Sequence, residues 1–314
     1  INLLCGIIAI STIRRLILFM RVLSLFDGIA CGRLALERAG IRIDSYDAWE
    51  IEKNAIKVAA TNYPDIIEHG DVTKQDFTKY KDKVDLLIGG SPCQGFSFSG
   101  RMLNFNDPRS KLFFEFVRAI EECKPKYFLL ENVVMKQEWR NIISSYLGVE
   151  PIEINSALVS AQNRRRLYWT NIPNVNQPRD KNIKLIDILD DKSMLNPAAI
   201  RGRTIVGYNK NTVQCLEVRS KYTDKSNCLT TVDKDNVLTS LSHGRYIDVF
   251  NNTYPWRYYT TAEMCRLQTL TDDYLNMIPD SAARKALGNG WAVDVITHIF
   301  SYLPDKYKIG GEKD

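Results

Sequence analysis

Val84-Asp85-Leu86-Leu87-Ile88-Gly89-Gly90-Ser91-Pro92-Cys93-Gln94-Gly95-Phe96-Ser97 is the stretch on which the fold turns. An apolar run of strand length ends in two glycines, a proline-stiffened turn and then a cysteine, so a thiol is presented where a buried strand gives way to a loop. In open α/β sheets ligands bind beyond the carboxyl ends of the strands. Cys93 is therefore a candidate nucleophile, although a small core residue is the commoner fate of a cysteine.

Working outward, the segments on either side repeat the strand, turn and helix pattern. Upstream, Arg21 to Phe26 reads as a buried strand followed by Asp27-Gly28-Ile29-Ala30-Cys31-Gly32 and a helix rich in Leu and Ala. Glycines at such a turn let a ligand approach the backbone and the helix N-terminus, but the spacing is not the dinucleotide GxGxxG. A second strand, Asp44 to Trp49, ends at Glu50, where α/β nucleotide sites place an acid for ribose hydroxyls; a solvated helix cap is the plain alternative. The stretch from Glu52 to Asn62 predicts a helix with Ala55, Ile56, Ala59 and Ala60 on one face, and Gly70-Asp71-Val72 another short turn.

Downstream, Gln94 to Pro108 has no period and reads as a mobile loop able to close over a substrate. Leu112, Phe113, Phe116, Val117 and Ile120 recur at helical spacing, and Tyr127 to Leu130 is a further buried strand ending in Glu131-Asn132-Val133. Strand, helix, strand implies a parallel crossover that brings Cys93 and Glu131 to one edge of the sheet. An alternating stretch, Ile152 to Leu158, leads to Gln162-Asn163-Arg164-Arg165-Arg166-Leu167-Tyr168-Trp169. Period 2 puts Arg164, Arg166 and Tyr168 on one face and Arg165, Leu167 and Trp169 on the other.

From Pro173 to about Pro255 the chain turns polar, with short β-like pieces at Thr212 to Val218, Cys228 to Val232 and Tyr246 to Phe250. Residues 173–256 are expected to form a small, mostly β or irregular inserted domain, and 20–172 with 257–314 the main α/β domain. Thr260 to Leu270 returns to a helical pattern, and Ala292, Val295, Ile296, Ile299, Phe300 and Leu303 form a stripe after Gly288-Asn289-Gly290. Residues 1–19 are apolar but broken by Arg14-Arg15 short of a bilayer-spanning length; a non-native or upstream-translated extension is expected, with a membrane anchor as the alternative.

A chain of 314 residues with 45% hydrophobic residues can bury one large core and a smaller one. The net charge of +5 is compatible with a polyanionic partner without demanding one. Seven scattered cysteines without a CxxC pair, and three separated histidines, suggest neither a zinc site nor a disulfide framework, hence a reducing compartment and chemistry without a bound metal.

Five segments in order resemble the successive motifs of the cytosine-C5 DNA methyltransferases: Phe26-Asp27-Gly28 to Gly32, Gly90 to Gln94, Glu131-Asn132-Val133, Gln162 to Arg166 and Gly288-Asn289-Gly290. The first turn and the Gly-Asn-Gly-Trp-Ala-Val ending resemble the vertebrate de novo branch; the Pro-Cys-Gln-Gly-Phe-Ser stretch is closer to bacterial and phage enzymes. The resemblance implies a Rossmann-like S-adenosylmethionine-dependent methyltransferase domain carrying an inserted target-recognition domain, and transfer of a methyl group to C5 of a cytosine flipped out of double-stranded DNA. It makes Cys93 the nucleophile on C6, Glu131 the contact to N3 and the exocyclic amine, and Arg166, assisted by Arg164, the contact to O2.

For S-adenosyl-L-methionine the resemblance implies Phe26, Asp27, Gly28 and Gly32 around the methionine end, Glu50 on the ribose, Ile51 over the adenine, Asp71 and Val72 at its edge, Asn289, Gly290 and Ala292 closing the methionine side, and Pro92 as a further cofactor contact. At Ile51 many relatives carry an aromatic residue. Gln94 and Ser97 are the expected DNA contacts from the loop, and Arg201, Arg203, Lys210, Arg219, Lys221 and Lys225 are the insertion's basic candidates. A cytoplasmic monomer of a prokaryotic or phage-infected cell is implied, without stable membrane association and with room for a cognate restriction enzyme. Methylation of RNA, a silent cofactor-binding regulator and a nicotinamide dehydrogenase remain the alternatives.

Overall fold

The computed structural model describes residues 18–91, 111–206, 211–218 and 224–310, with the backbone alone at 203–206 and 211–212. Its main sheet is built from β1 (Met20–Leu25), β2 (Ile43–Trp49), β3 (Ile66–Glu68), β4 (Leu86–Gly89), β5 (Tyr127–Val133), β6 (Ile152–Asn155) and β7 (Arg165–Thr170), in the order β3-β2-β1-β4-β5-β7-β6. All neighbours up to β5 pair in parallel, while β7 runs antiparallel to both β5 and β6. Strand β4 is buried at every residue and reads as a continuous apolar run, as a central parallel strand does, and β1 is buried except at Arg21.

Helices α1 (Cys31–Arg38), α2 (Lys53–Asn62), α3 (Lys111–Cys123) and α4 (Gln137–Leu147) connect these strands. Strand β1 reverses into α1 through left-handed backbone at Phe26, Gly28 and Ala30. On α2 the buried stripe is Ala55, Val58 and Ala59, and Ala60 faces solvent. The expected face had Ala60 in place of Val58; the i, i+3, i+4 geometry of a helix favours the stripe observed.

After the short α5 (Leu185–Ile188), a second sheet contains β8 (Asn196–Val206), β9 (Asn211–Val218), β10 (Val237–Thr239), β11 (Gly244–Ile247) and β12 (Trp256–Tyr258), ordered β11-β9-β8-β10-β12 with every pair antiparallel. Ala198, Ile200, Leu216, Val218, Val237 and Val249 form its own small core. Helices α6 (Thr261–Leu267), α7 (Asp280–Asn289) and α8 (Val293–Phe300) complete the main layer. The stripe Ala292, Val295, Ile296, Ile299, Phe300 and Leu303 is buried throughout.

Three expected elements take another form. Cys228 to Val232 is not a strand, because its backbone is used by side chains: Leu229 N–H donates to Gln162 Oε1, the Leu229 carbonyl accepts from Arg164, and the Thr230 carbonyl accepts from Asn236. Strand β11 stops at Ile247 because Asp248 turns to φ 57°. Helix α6 ends before Leu270, with Thr269 at φ 59°. Among the described residues no helix is long and apolar enough to cross a membrane; residues 1–17 lie outside them.

Candidate active site

The carboxyl edge of β4 and β5 is built by their register. Gly89, the last residue of β4, pairs with Leu130, so Glu131 is the next residue at the edge. Asn132 then reaches back across the gap, its side-chain amide donating to the Ser91 carbonyl (3.4 Å) and hydroxyl (3.3 Å). Its Oδ1 accepts from the Val133 N–H at 2.8 Å, so both ends of the amide are occupied. Ser91 leads directly into Pro92 and Cys93; Pro92, Cys93, Gln94 and Ser97 lie outside the described residues.

Glu131 is nearly buried, and both of its carboxylate oxygens are held. Arg166 Nε lies 3.0 Å from Oε1, while Trp291 Nε1–H donates to Oε2 at 3.2 Å. The pairing of β5 with β7 sets the first contact: Glu131 faces Tyr168, and Arg166, opposite Val133, is its diagonal neighbour on the same face. Burial works against the charge on Arg166, but Cys228, Glu131 and Tyr168 around it outweigh that, and the guanidinium is held more firmly protonated than usual.

Arg164, two residues earlier on that face, is placed differently. Its NH1 donates to the Leu229 carbonyl (3.0 Å), and NH2 donates to the carbonyls of Gly288 (3.2 Å) and Gly290 (2.8 Å). Burial and the nearby Arg166 lower its proton affinity. Rather than standing free to reach a ring oxygen, this guanidinium ties the Gly288–Gly290 turn to the Cys228–Leu229 segment. Cys228 Sγ accepts from Arg164 NH1 at 3.4 Å and Arg166 NH2 at 3.8 Å, so a residue from the 173–256 region touches both arginines.

The segments that follow β1 and β2 carry Asp27, Gly28, Gly32, Glu50 and Ile51, five of the residues expected around the cofactor. Asp27 Oδ1 accepts from the hydroxyls of Ser24 and Tyr46, each at 2.6 Å, while its Oδ2 is buried without a partner. Burial pushes the Asp27 carboxyl up to about 7, against the Ser24 and Tyr46 hydrogen bonds. Glu50 accepts from the Gly28 N–H (2.9 Å) through Oε2 and from the Ile51 and Glu52 N–H groups through Oε1, which locks the end of β2 to the first glycine turn. Ile51 beside it is 74% exposed, an apolar side chain left open at the rim.

The two glycines of that turn differ in what they allow. Gly28, at φ 63°, has open space where a Cβ would stand. A Cβ on Gly32 would lie 2.4 Å from Ile88 Cδ1 and 3.1 Å from the Tyr46 hydroxyl, so this glycine serves close packing of α1 on the sheet. Asp71 caps a short helical turn, its Oδ1 accepting from Thr73 N–H and hydroxyl; those bonds hold its carboxyl below the usual range. The Val72 side chain is buried in the core beside Trp49 and Phe77. Asn289 and Gly290 form the end of α7, and Ala292 is buried at the start of α8.

Of the insertion's basic candidates, Arg201 is paired with Asp235 (2.7 Å), and Lys225 donates to the carbonyls of Ala157, Ser160 and Ile183 at 2.7, 3.0 and 2.6 Å. Both are engaged within the fold. The side chains of Arg203, Lys210, Arg219 and Lys221 lie outside the described residues. Sequence reasoning passed over Trp291, Gln268 and the Arg257–Glu263 pair. Glu263 left a signal, since Thr260-x-x-Glu263 is a capping-box pattern and the box is present. Trp291 left only its place between Gly290 and Ala292.

The family model of the C-5 cytosine-specific DNA methylases matches residues 20–304, and the chain belongs to that family. It is 30% identical over 301 residues to the Type II methyltransferase M1.ScrFI of Lactococcus lactis subsp. cremoris, covering 89% of this chain and 76% of that protein. A shorter segment of 114 residues is 47% identical to the Type II methyltransferase M.Eco47II of Escherichia coli, covering 36% of this chain and 27% of that one. Among solved structures, the Entamoeba histolytica methyltransferase EhMeth superposes with a TM-score of 0.69 at 17% identity, over 91% of this chain and 98% of its own. A DNMT2 variant from Spodoptera frugiperda superposes with a TM-score of 0.63 at 19% identity, over 90% and 99%. The fold is that of the S-adenosylmethionine-dependent methyltransferases, and the activity is methylation of cytosine C5 in DNA.

Proposed function

We propose that Cys93, Glu131 and Arg166 act together on a cytosine flipped out of double-stranded DNA. The Cys93 thiolate adds to C6, forming the C–S bond and moving electron density onto C5 and N3. Glu131 contacts N3 and the exocyclic amine, and Arg166 contacts O2, so the charge that develops on the ring meets groups already in place. After methylation, solvent water takes the C5 proton, and the electron pair left behind re-forms the C5–C6 double bond, expels the Cys93 thiolate and restores the aromatic ring. The observation that carries this reading is the doubly held Glu131 carboxylate at the same sheet edge as Ser91, two residues before Cys93.

The donor is read as S-adenosyl-L-methionine, which supplies an electrophilic methyl group on a sulfonium. The orphaned Asp27 Oδ2 fits its ammonium group, the open turn at Gly28 fits its carboxylate end, and the exposed Ile51 fits its adenine. Glu50 has lone pairs left for the ribose hydroxyls. Arg164 is read as a positioning residue for the Gly288–Gly290 turn, and the second sheet as the target-recognition module. The Type II relatives support a cognate restriction enzyme as partner.

Methylome sequencing of DNA from a host expressing the wild-type protein and Cys93→Ala tests the assignment. The wild type is expected to leave 5-methylcytosine in a fixed sequence context, and the variant none. Residual methylation by the variant would sink the nucleophile. Methylation of a defined RNA, but not of duplex DNA, by purified protein would move the substrate to RNA.

A further inference from the structure

The Gly288–Ala292 turn sends Trp291 back between the two glycine turns of the sheet edge. A Cβ built on Gly90 would lie 2.9 Å from Trp291 Nε1 and 3.3 Å from Glu131 Oε2; one built on Gly32 would lie 3.5 Å from the far edge of the indole. Trp291 is held from behind as well. The turn's Gly288 and Gly290 carbonyls accept from Arg164, and the Gly290 carbonyl also accepts from Gln268 Nε2 at 3.1 Å. The Gln268 amide in turn reaches the Leu287 carbonyl (2.6 Å), and its Oε1 accepts from Gln162. A rigid frame thus aims one indole N–H at one carboxylate oxygen.

A carboxylate held on one oxygen can pivot about its terminal torsion, which is broad and nearly twofold. With Arg166 on Oε1 and Trp291 on Oε2, that torsion is fixed. Indole N–H is a donor without acceptor capacity, so it holds the oxygen without competing for the proton of the cytosine edge. We propose that Trp291 is a positioning residue that fixes the Glu131 carboxyl for the flipped cytosine, from the same turn that walls the methyl-donor site. The proposal rests on the role given above to Glu131.

Two variants remove the donor: Trp291→Phe, and replacement of Trp291 by benzothienylalanine, which exchanges the N–H for sulfur at nearly constant shape. Loss of one charge-assisted hydrogen bond corresponds to about a tenfold fall in single-turnover methyl transfer. The KM for S-adenosylmethionine is expected to change by less than about twofold, since binding of the donor does not use the N–H. The decisive measurement is a cycle with Glu131→Ala, in which Trp291→Phe should cause no further loss.

If both variants keep the wild-type rate, or raise only the KM for S-adenosylmethionine, Trp291 is a wall and the proposal fails. Losses that multiply in the cycle overturn it equally. If Glu131→Ala itself transfers methyl groups at the wild-type rate, the reading of Glu131 falls, and that outcome is seen in the single variant before the cycle is closed.

Discussion

The bare Cα of Gly288 stands against the backbone of Thr230: a Cβ there would lie 2.5 Å from the Thr230 carbonyl carbon and 2.6 Å from its oxygen. Neither group can swing away, because the obstacle is main chain. The close approach seats the Cys228–Thr231 segment on the catalytic layer, where Gln162 and Arg164 bind Leu229.

Gly288→Ala is therefore expected to destabilise the protein by roughly 1–3 kcal/mol through overpacking. It should lower methyl transfer further than stability alone explains, because displacing Cys228 removes a contact of Arg166. Denaturant unfolding and single-turnover assays on the same preparation test this. An unchanged unfolding midpoint would mean that the segment docks more loosely than the contact distances imply.

Asp27 gives a pH prediction. Burial disfavours its charge and pushes the carboxyl from the ordinary 3.8 of an unfolded chain up to about 7 in the fold. Between those values the folded protein holds a proton that the unfolded chain has lost, so Asp27 makes stability of the ligand-free protein fall as pH rises from about 4 to 7. Asp27→Asn should flatten that slope. A cationic ammonium beside Oδ2 favours the ionised form, so S-adenosylmethionine should bind more tightly at pH 8 than at pH 6, with release of a proton near pH 6 that is lost in Asp27→Asn. Calorimetric titrations in buffers of different ionisation enthalpy test this, and binding that is insensitive to pH in the wild type would remove Asp27 from the ammonium site.

Lys225 looked from the sequence like one of several cations available to DNA phosphates, and the structure uses it as a bracket for three carbonyls. Lys225→Met leaves those acceptors without their donor, and a loss of about 1–3 kcal/mol of stability is expected. The salt dependence of DNA affinity separates the two roles. A phosphate contact would reduce the slope of log K against log salt by about 1, whereas a bracket leaves it unchanged. A reduced slope with normal stability would return Lys225 to the DNA interface.

Lys225 also marks where sequence reading reaches its limit. Period and punctuation placed β1, β4, β5 and the stripe on α8, because each buries its apolar residues at one fixed spacing. Strand order placed Glu131 at the Cys93 edge and a period of 2 put Arg166 on one face with Arg164, but their meeting was legible only through the family resemblance, because it depends on the antiparallel pairing of β7 with β5. What Arg164 and Lys225 do was not, since both donate to backbone carbonyls, and a carbonyl is present at every residue. The same reason hid the irregular course of Cys228 to Val232, a β-like sequence whose backbone partners are side chains from remote segments. Trp291 was hidden because an indole between two small residues carries no periodic signal.

The last prediction concerns the joint between the second sheet and the main layer. Arg257 of β12 donates through NH1 and NH2 to the two oxygens of Glu263, at 2.7 and 2.8 Å, and the Glu263 side chain is fully buried. The same carboxylate accepts from the backbone N–H groups of Asp190 (3.0 Å) and Thr260 (2.9 Å). Removing one partner strands the other's charge, so Glu263→Met or Arg257→Met alone should each cost about 3–5 kcal/mol. The double variant should cost less than the sum, because no lone charge remains; what it keeps losing are the two backbone bonds to Glu263. Thermal unfolding of the four proteins closes the cycle. Additive losses would mean that water reaches the guanidinium once Glu263 is gone, and that the joint is wetter than its burial indicates.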